Sequence, residues 1–136
     1  MLKSINHIGI AVKYLDESIE TFRKIFQFDD VHREIVEEQK VEIATFKVGD
    51  VMLELTSATD ESSPIAKFIS KKGEGIHHIA FETDDIKKEL ERLSGNDLKL
   101  INPVPAEGAH NMLIAFLHPK STNGVLVEIC EKKEDN

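Results

Sequence analysis

Residues 75–85 read GIHHIAFETDD, and residues 6–16 read NHIGIAVKYLD. Setting His78 on His7, an offset of 71 positions, puts Ile79 on Ile8 and Phe81 on Ile10. Apolar residues alternate in both stretches, the period of a half-buried strand. At the same offset Leu15, Ile19 and Phe22 fall on Ile86, Leu90 and Leu93. Their i, i+4, i+7 spacing makes one apolar stripe along a helix. Asp16, and Asp84 or Asp85 in the other copy, stand where each helix begins, as caps or as charges favourable to the helix dipole. Each half of the chain opens strand, then helix. Repetition on this scale fixes the architecture before any other feature does.

Each half also closes with strands. In the first, HREIVEEQ, KVEIATFKVG and VMLELTSA read as three strands, with Gly49-Asp50 as the hairpin turn between the last two. In the second, NMLIAFLHP and NGVLVEICEK are strands, and LKLINPVP is a weaker edge strand limited by its prolines. Between the halves, SSPIAKFISKKGEG is a short helix that Ser63 caps and Pro64 starts. The expected fold class is α+β, with two β-α-β-β-β modules related by pseudo-twofold symmetry. They are expected to form a curved, open, barrel-like sheet around a cleft. One domain covers 1–136, with module 1 at about 4–60, a linker helix at about 62–73 and module 2 at about 75–131.

Composition sets the outer bounds. With 17 Lys and Arg against 25 Asp and Glu, the net charge of −8 argues against nucleic acid, which demands a concentrated basic surface. No apolar run approaches the roughly 18–20 residues that span a bilayer, so no membrane partner is expected. The N-terminal stretch lacks the pattern of a signal peptide. The single Cys130 rules out an internal disulfide and a cysteine zinc site. It points to a reducing, cytoplasmic address.

The repeat reaches the ends of the modules. Glu54, in LEL, follows His7 by 47 residues, and Glu128, in VEI, follows His78 by 50. Each carboxylate interrupts an otherwise apolar strand. A lone strand glutamate is ordinarily a solvent-face residue, and a lone histidine heading a strand is ordinarily structural. The same two residue types at matched places in both halves change that balance. Two histidines and two carboxylates converging on one point make a ligand set for a divalent metal, with positions left for water or substrate.

At these residues the sequence resembles the vicinal-oxygen-chelate superfamily, which includes glyoxalase I, extradiol dioxygenases and fosfomycin-resistance proteins. The likeness rests on INHIGIAV, KVEIATF, VMLEL, DESSPIAKFI, GIHHIAFETDDI and GAHNMLIAFLHPKSTNGVLVEI, in that order. Within the superfamily it is greatest to the epimerases of methylmalonyl-CoA. The resemblance implies metal ligands at His7, Glu54, His78 and Glu128, and a divalent ion from among Co, Zn, Ni, Mn and Mg. It assigns the metal to His78 rather than His77, and strand alternation agrees that only one of the two faces the site. It also implies a small acyl-CoA substrate and a homodimer. A glyoxalase I-type lactoylglutathione lyase is the alternative enzyme, and a metal-free small-molecule-binding protein of the same fold is the other class.

Epimerisation alpha to a thioester removes a proton from one face of a carbon and returns one to the other face. A Lewis acid stabilises the developing enolate oxygen, and two opposed carboxylates exchange roles as base and acid. The resemblance puts these at Glu42 and Glu128, the second doubling as ligand. Lys120 and His110 are the weaker candidates for holding substrate, through a carboxylate or a CoA phosphate.

Overall fold

In the computed structural model, which describes residues 1–134, the sequence forms eleven regular elements. They are β1 (Leu2–Ala11), α1 (Leu15–Phe26), β2 (His32–Val36), β3 (Val41–Val48), β4 (Val51–Ala58) and α2 (Pro64–Lys72), then β5 (Gly75–Thr83), α3 (Ile86–Gly95), β6 (Ala106–Glu107), β7 (Met112–Leu117) and β8 (Val127–Lys132). Single turns of 3₁₀ helix stand at Glu37–Gln39, Ala109–Asn111 and Pro119–Ser121. Residues 135 and 136, part of the expected single domain, lie outside the described residues.

The chain divides into two compact units. One is His7–His77; the other joins Met1–Asn6 to the residues from His78 onward. Strand β1 is shared, its first half going to the second unit and its second half to the first.

The strands of the first unit run β2-β3-β4-β1, with β4 and β1 parallel and the others antiparallel. The hairpin between β3 and β4 turns at Gly49, whose φ of +63° is open to glycine at little cost. It pairs Val48 with Val51, and the ladder continues without a bulge through Thr45 opposite Glu54 to Glu42 opposite Ser57. Leu15 and Ile19 of α1, with the half-buried Phe22, pack on Ala44, Phe46, Leu53 and Leu55. One face of this sheet is therefore apolar and covered by α1. Helix α2 starts as its sequence dictates: Ser63 Oγ accepts the Ile65 N–H at 3.1 Å, and Pro64 occupies the first turn. At α1 the acid is not a cap. Tyr14 holds that position without a side-chain bond, and Asp16 instead accepts from Arg33.

The second unit repeats the plan. The first half of β1 lies beside β5, and the order continues β5-β8-β7-β6. Asn6 Nδ2 donates to Glu82 Oε1 at 2.9 Å, and Lys3 Nζ donates to Asp84 Oδ1 at 2.7 Å. Ile86, Leu90 and Leu93 of α3 pack on Ala115, Leu117 and Ile129. Asp85 rather than Asp84 caps the helix, accepting from the Lys88 N–H. The opposite face holds a smaller apolar cluster of Ala80, Met112, Ile114 and Cys130.

One expected strand is displaced. LKLINPVP forms only an isolated bridge, Leu100 with Leu117, and the edge strand is the two-residue β6 that follows. Pro103 and Pro105 lack the N–H that a ladder requires, so regular pairing begins only after the second of them.

Candidate metal centre

His7 and Glu54 come together because β1 and β4 run parallel. Gly9 is the register partner of Glu54 and Met52 that of His7, so the two side chains sit diagonally on one face. His7 Nε2 lies 3.5 Å from Glu54 Oε2, with both side chains buried. Thr56 Oγ1 donates to the other carboxylate oxygen at 3.4 Å. Burial holds the His7 imidazole down to about 4, so it is neutral near pH 7 and offers a lone pair.

His78 and Glu128 repeat this construction in the second unit. Ala80 pairs with Glu128 across the parallel β5 and β8, and His78 Nε2 lies 3.5 Å from Glu128 Oε1. Both are buried, and the Phe116 ring meets the His78 ring edge-on at 5.9 Å. His7, Glu54 and His78 each offer a buried donor atom of the kind a metal ion takes. Donors bound 2.0–2.2 Å from one ion, at angles from square to tetrahedral, stand about 2.8–3.6 Å apart. The 3.5 Å separation within each pair lies inside that range.

His77 turns the other way. Its ring packs at right angles on Phe68 of α2, centroids 4.9 Å apart, and burial together with Lys72 lowers it to about 4. His118 shapes its turn, Nδ1 accepting the Lys120 N–H at 3.1 Å. Lys120 is exposed, and His110 is half-buried in the turn before β7 with φ of +56°.

Glu42 is the correction. Alternation along the unbroken β3–β4 ladder puts Glu42 on the face of Ala44 and Phe46, which α1 covers, and Glu54 on the face of Ile43 and Thr45. Arg33 fixes it there, donating from Nη2 to Glu42 Oε2 at 3.0 Å and from Nη1 to Asp16 Oδ1 at 2.6 Å. Glu42 and Glu54 therefore stand on opposite faces of the sheet, and a base on the reverse face does not reach a molecule held on the Glu54 face. The polar residues that the β2–β3 register does put on the Glu54 face are His32, opposite Thr45, and Glu34, opposite Ile43. Neither has a counterpart in the sequence repeat, so the repeat does not single them out.

Fold and paired donors together define a class, and comparison with known proteins agrees. The sequence profile of the glyoxalase/bleomycin resistance protein/dioxygenase superfamily matches residues 6–116, and the chain belongs to that superfamily. It is 42% identical to the uncharacterized protein YqjC of Bacillus subtilis, over 98% of this chain and 96% of the relative. It is 39% identical to the mitochondrial methylmalonyl-CoA epimerase of Dictyostelium discoideum, over 94% of this chain and 78% of that one. A Streptomyces coelicolor methylmalonyl-CoA epimerase variant in complex with 2-nitronate-propionyl-CoA superposes with a TM-score of 0.94 at 36% identity, covering 98% of this chain and all of that one. The chain is accordingly an isomerase of the epimerase type. Among the described residues no helix is long and apolar enough to cross a membrane.

Proposed function

We propose that this protein interconverts (2R)- and (2S)-methylmalonyl-CoA. The observation that carries the reading is the twofold repetition of one buried pair, histidine and glutamate 3.5 Å apart on adjacent parallel strands. In this reading His7, Glu54, His78 and Glu128 hold one divalent ion, drawn from Co, Zn, Ni, Mn and Mg. The ion supplies Lewis-acid polarisation of the thioester carbonyl. Glu128 serves as the carboxylate that receives or returns the alpha proton on its side. Neutral His7 adds no charge to the two ligand carboxylates, leaving the set free to balance a dication. The acyl-CoA complexes of the related epimerases support the thioester as substrate class. Lys120 and His110 are the candidates for its polar ends. A homodimer in the cytoplasm completes the reading, and light scattering tests the dimer.

The deciding experiment follows each purified epimer of methylmalonyl-CoA in D₂O, with chelator-stripped protein and with each divalent ion restored. Interconversion with deuterium incorporation, lost on stripping and regained with metal, is the expected result. Full activity in metal-free protein, or no interconversion with any of the five ions, would overturn the proposal.

A further inference from the structure

Epimerisation requires a second proton-transfer group, and with Glu42 on the wrong side of the sheet that place is open. In the first unit the face bearing His7 and Glu54 is completely specified by register. From β3 it carries Val41, Ile43, Thr45 and Lys47; from β4, Met52, Thr56 and Ala58 besides Glu54; from β2, His32, Glu34 and Val36. Glu34 is the only carboxylate on these three strands' faces besides Glu54, and His32 the only imidazole. They are coupled, His32 Nε2 standing 3.1 Å from Glu34 Oε1.

Resting on the epimerase reading above, we infer that His32 is the alpha-proton base and acid of the first unit and that Glu34 is its positioning residue. His32, Thr45 and Glu54 stand in line across β2, β3 and β4. Two strand spacings separate His32 from Glu54 by about 10 Å at the backbone, a gap that a small acyl group bridges. Thr45, the residue between them, is short, so β3 itself puts no large side chain on that line. His32 is 53% exposed at its side chain, open to an incoming molecule in a way that the ligand pair is not. An imidazole both takes and returns protons in general acid–base catalysis, and a carboxylate on one ring nitrogen fixes its tautomer and orientation.

The step balances. The imidazole nitrogen takes the proton from the alpha carbon, the C–H pair moves into the C–C bond, and the carbonyl π pair moves onto the thioester oxygen. The pair then returns to the carbon, which takes a proton from an acid on its opposite face. The reverse epimerisation runs with the roles exchanged, and solvent restores both groups.

The test is His32→Gln, with Glu34→Gln beside it, in the D₂O assay on metal-loaded protein of verified metal content and thermal midpoint. His32→Gln is expected to slow epimerisation at least 100-fold in both directions. It should still exchange the alpha proton of one epimer without inverting it, because the opposite face keeps its base; the other epimer should not exchange. A merely structural defect would depress both exchanges alike. Glu34→Gln should lower kcat by about tenfold or more, keep KM, and show the same one-epimer exchange. Epimerisation by His32→Gln within threefold of wild type, equal loss of both exchanges, or loss of a metal equivalent would overturn the inference. Wild-type protein inactive on both epimers would remove the epimerase reading instead, and this one with it.

Discussion

Arg33 makes the clearest statement at the scale of single residues. Its guanidinium holds Asp16 and Glu42 at once, in a surface network in which none of the three is buried. Exposed pairs of this sort contribute about 0–1 kcal/mol. Glu42→Gln is expected to leave turnover within twofold of wild type and to cost no more than that range in urea unfolding; a 100-fold loss of kcat would restore Glu42 as a base. The sequence held the means to see this. A two-residue turn at Gly49-Asp50 pairs 48 with 51, hence 45 with 54 and 42 with 57, so Glu42 and Glu54 differ in parity. The resemblance to the epimerases implies Glu42 without regard to that parity. What the sequence could not show is burial at His77, which lies outside the two histidine–glutamate pairs and packs on Phe68. Its pKa falls from 6.5 to about 4, so between those values the unfolded chain binds a proton that the folded one refuses. Stability of the metal-free protein is therefore greatest above pH 6.5 and declines as pH falls toward 4, by at most about 1.4 kcal/mol per pH unit for each such histidine. His7, also lowered to about 4, acts in the same direction. His77→Phe keeps a ring against Phe68 and should make the decline shallower, as urea unfolding at pH 6.5 and pH 5 will read; an unchanged slope would refute it.

Among the elements, those with strong periodicity were legible and those set by tertiary contact were not. The apolar stripe of α3 and the Ser63-Pro64 start of α2 stand where residue spacing puts them, because capping and burial are local instructions. Strand β6 has only two residues, and no pattern that short is readable. It exists because Gly108 lets the chain pass against β7: the Gly108 N–H donates to Met112 O at 2.9 Å, and a Cβ built on Gly108 would lie 2.7 Å from Ile114 Cγ2. Ile114 is buried and β-branched, with little freedom to withdraw. The Gly108 φ of −125° suits any residue, so the requirement is for space rather than conformation. Gly108→Ala should cost about 1–3 kcal/mol by overpacking. Paired with Ile114→Val the cost should not fall, since valine keeps the offending methyl, whereas Ile114→Ala should recover part of it. A neutral Gly108→Ala would show that the strand can shift aside freely.

For the whole molecule the repeat is the argument, and its sharpest consequence is stoichiometric. Each unit supplies one buried histidine–glutamate pair, and the two pairs are alike in strand pairing and in separation. Two donors alone hold a divalent ion weakly, and burying a carboxylate beside a neutral imidazole is costly unless a cation compensates it. If both pairs serve a single ion, that compensation is shared, and losing any ligand damages the same event. Wild-type protein should then bind one divalent ion per chain and gain about 2.7 kcal/mol of stability at a hundredfold excess of ion over its Kd. His7→Ala and His78→Ala should each weaken binding by more than about 100-fold, beyond what loss of a supporting partner does. The metal-induced rise in thermal midpoint should vanish in both, although the substituted residues belong to different units. The double variant should be no worse in metal binding than either single one, because a shared site is already lost after the first substitution. Two ions per chain in the wild type, with each single variant keeping one, would mean that the repeat built two separate sites, and the common metal centre would have to be abandoned.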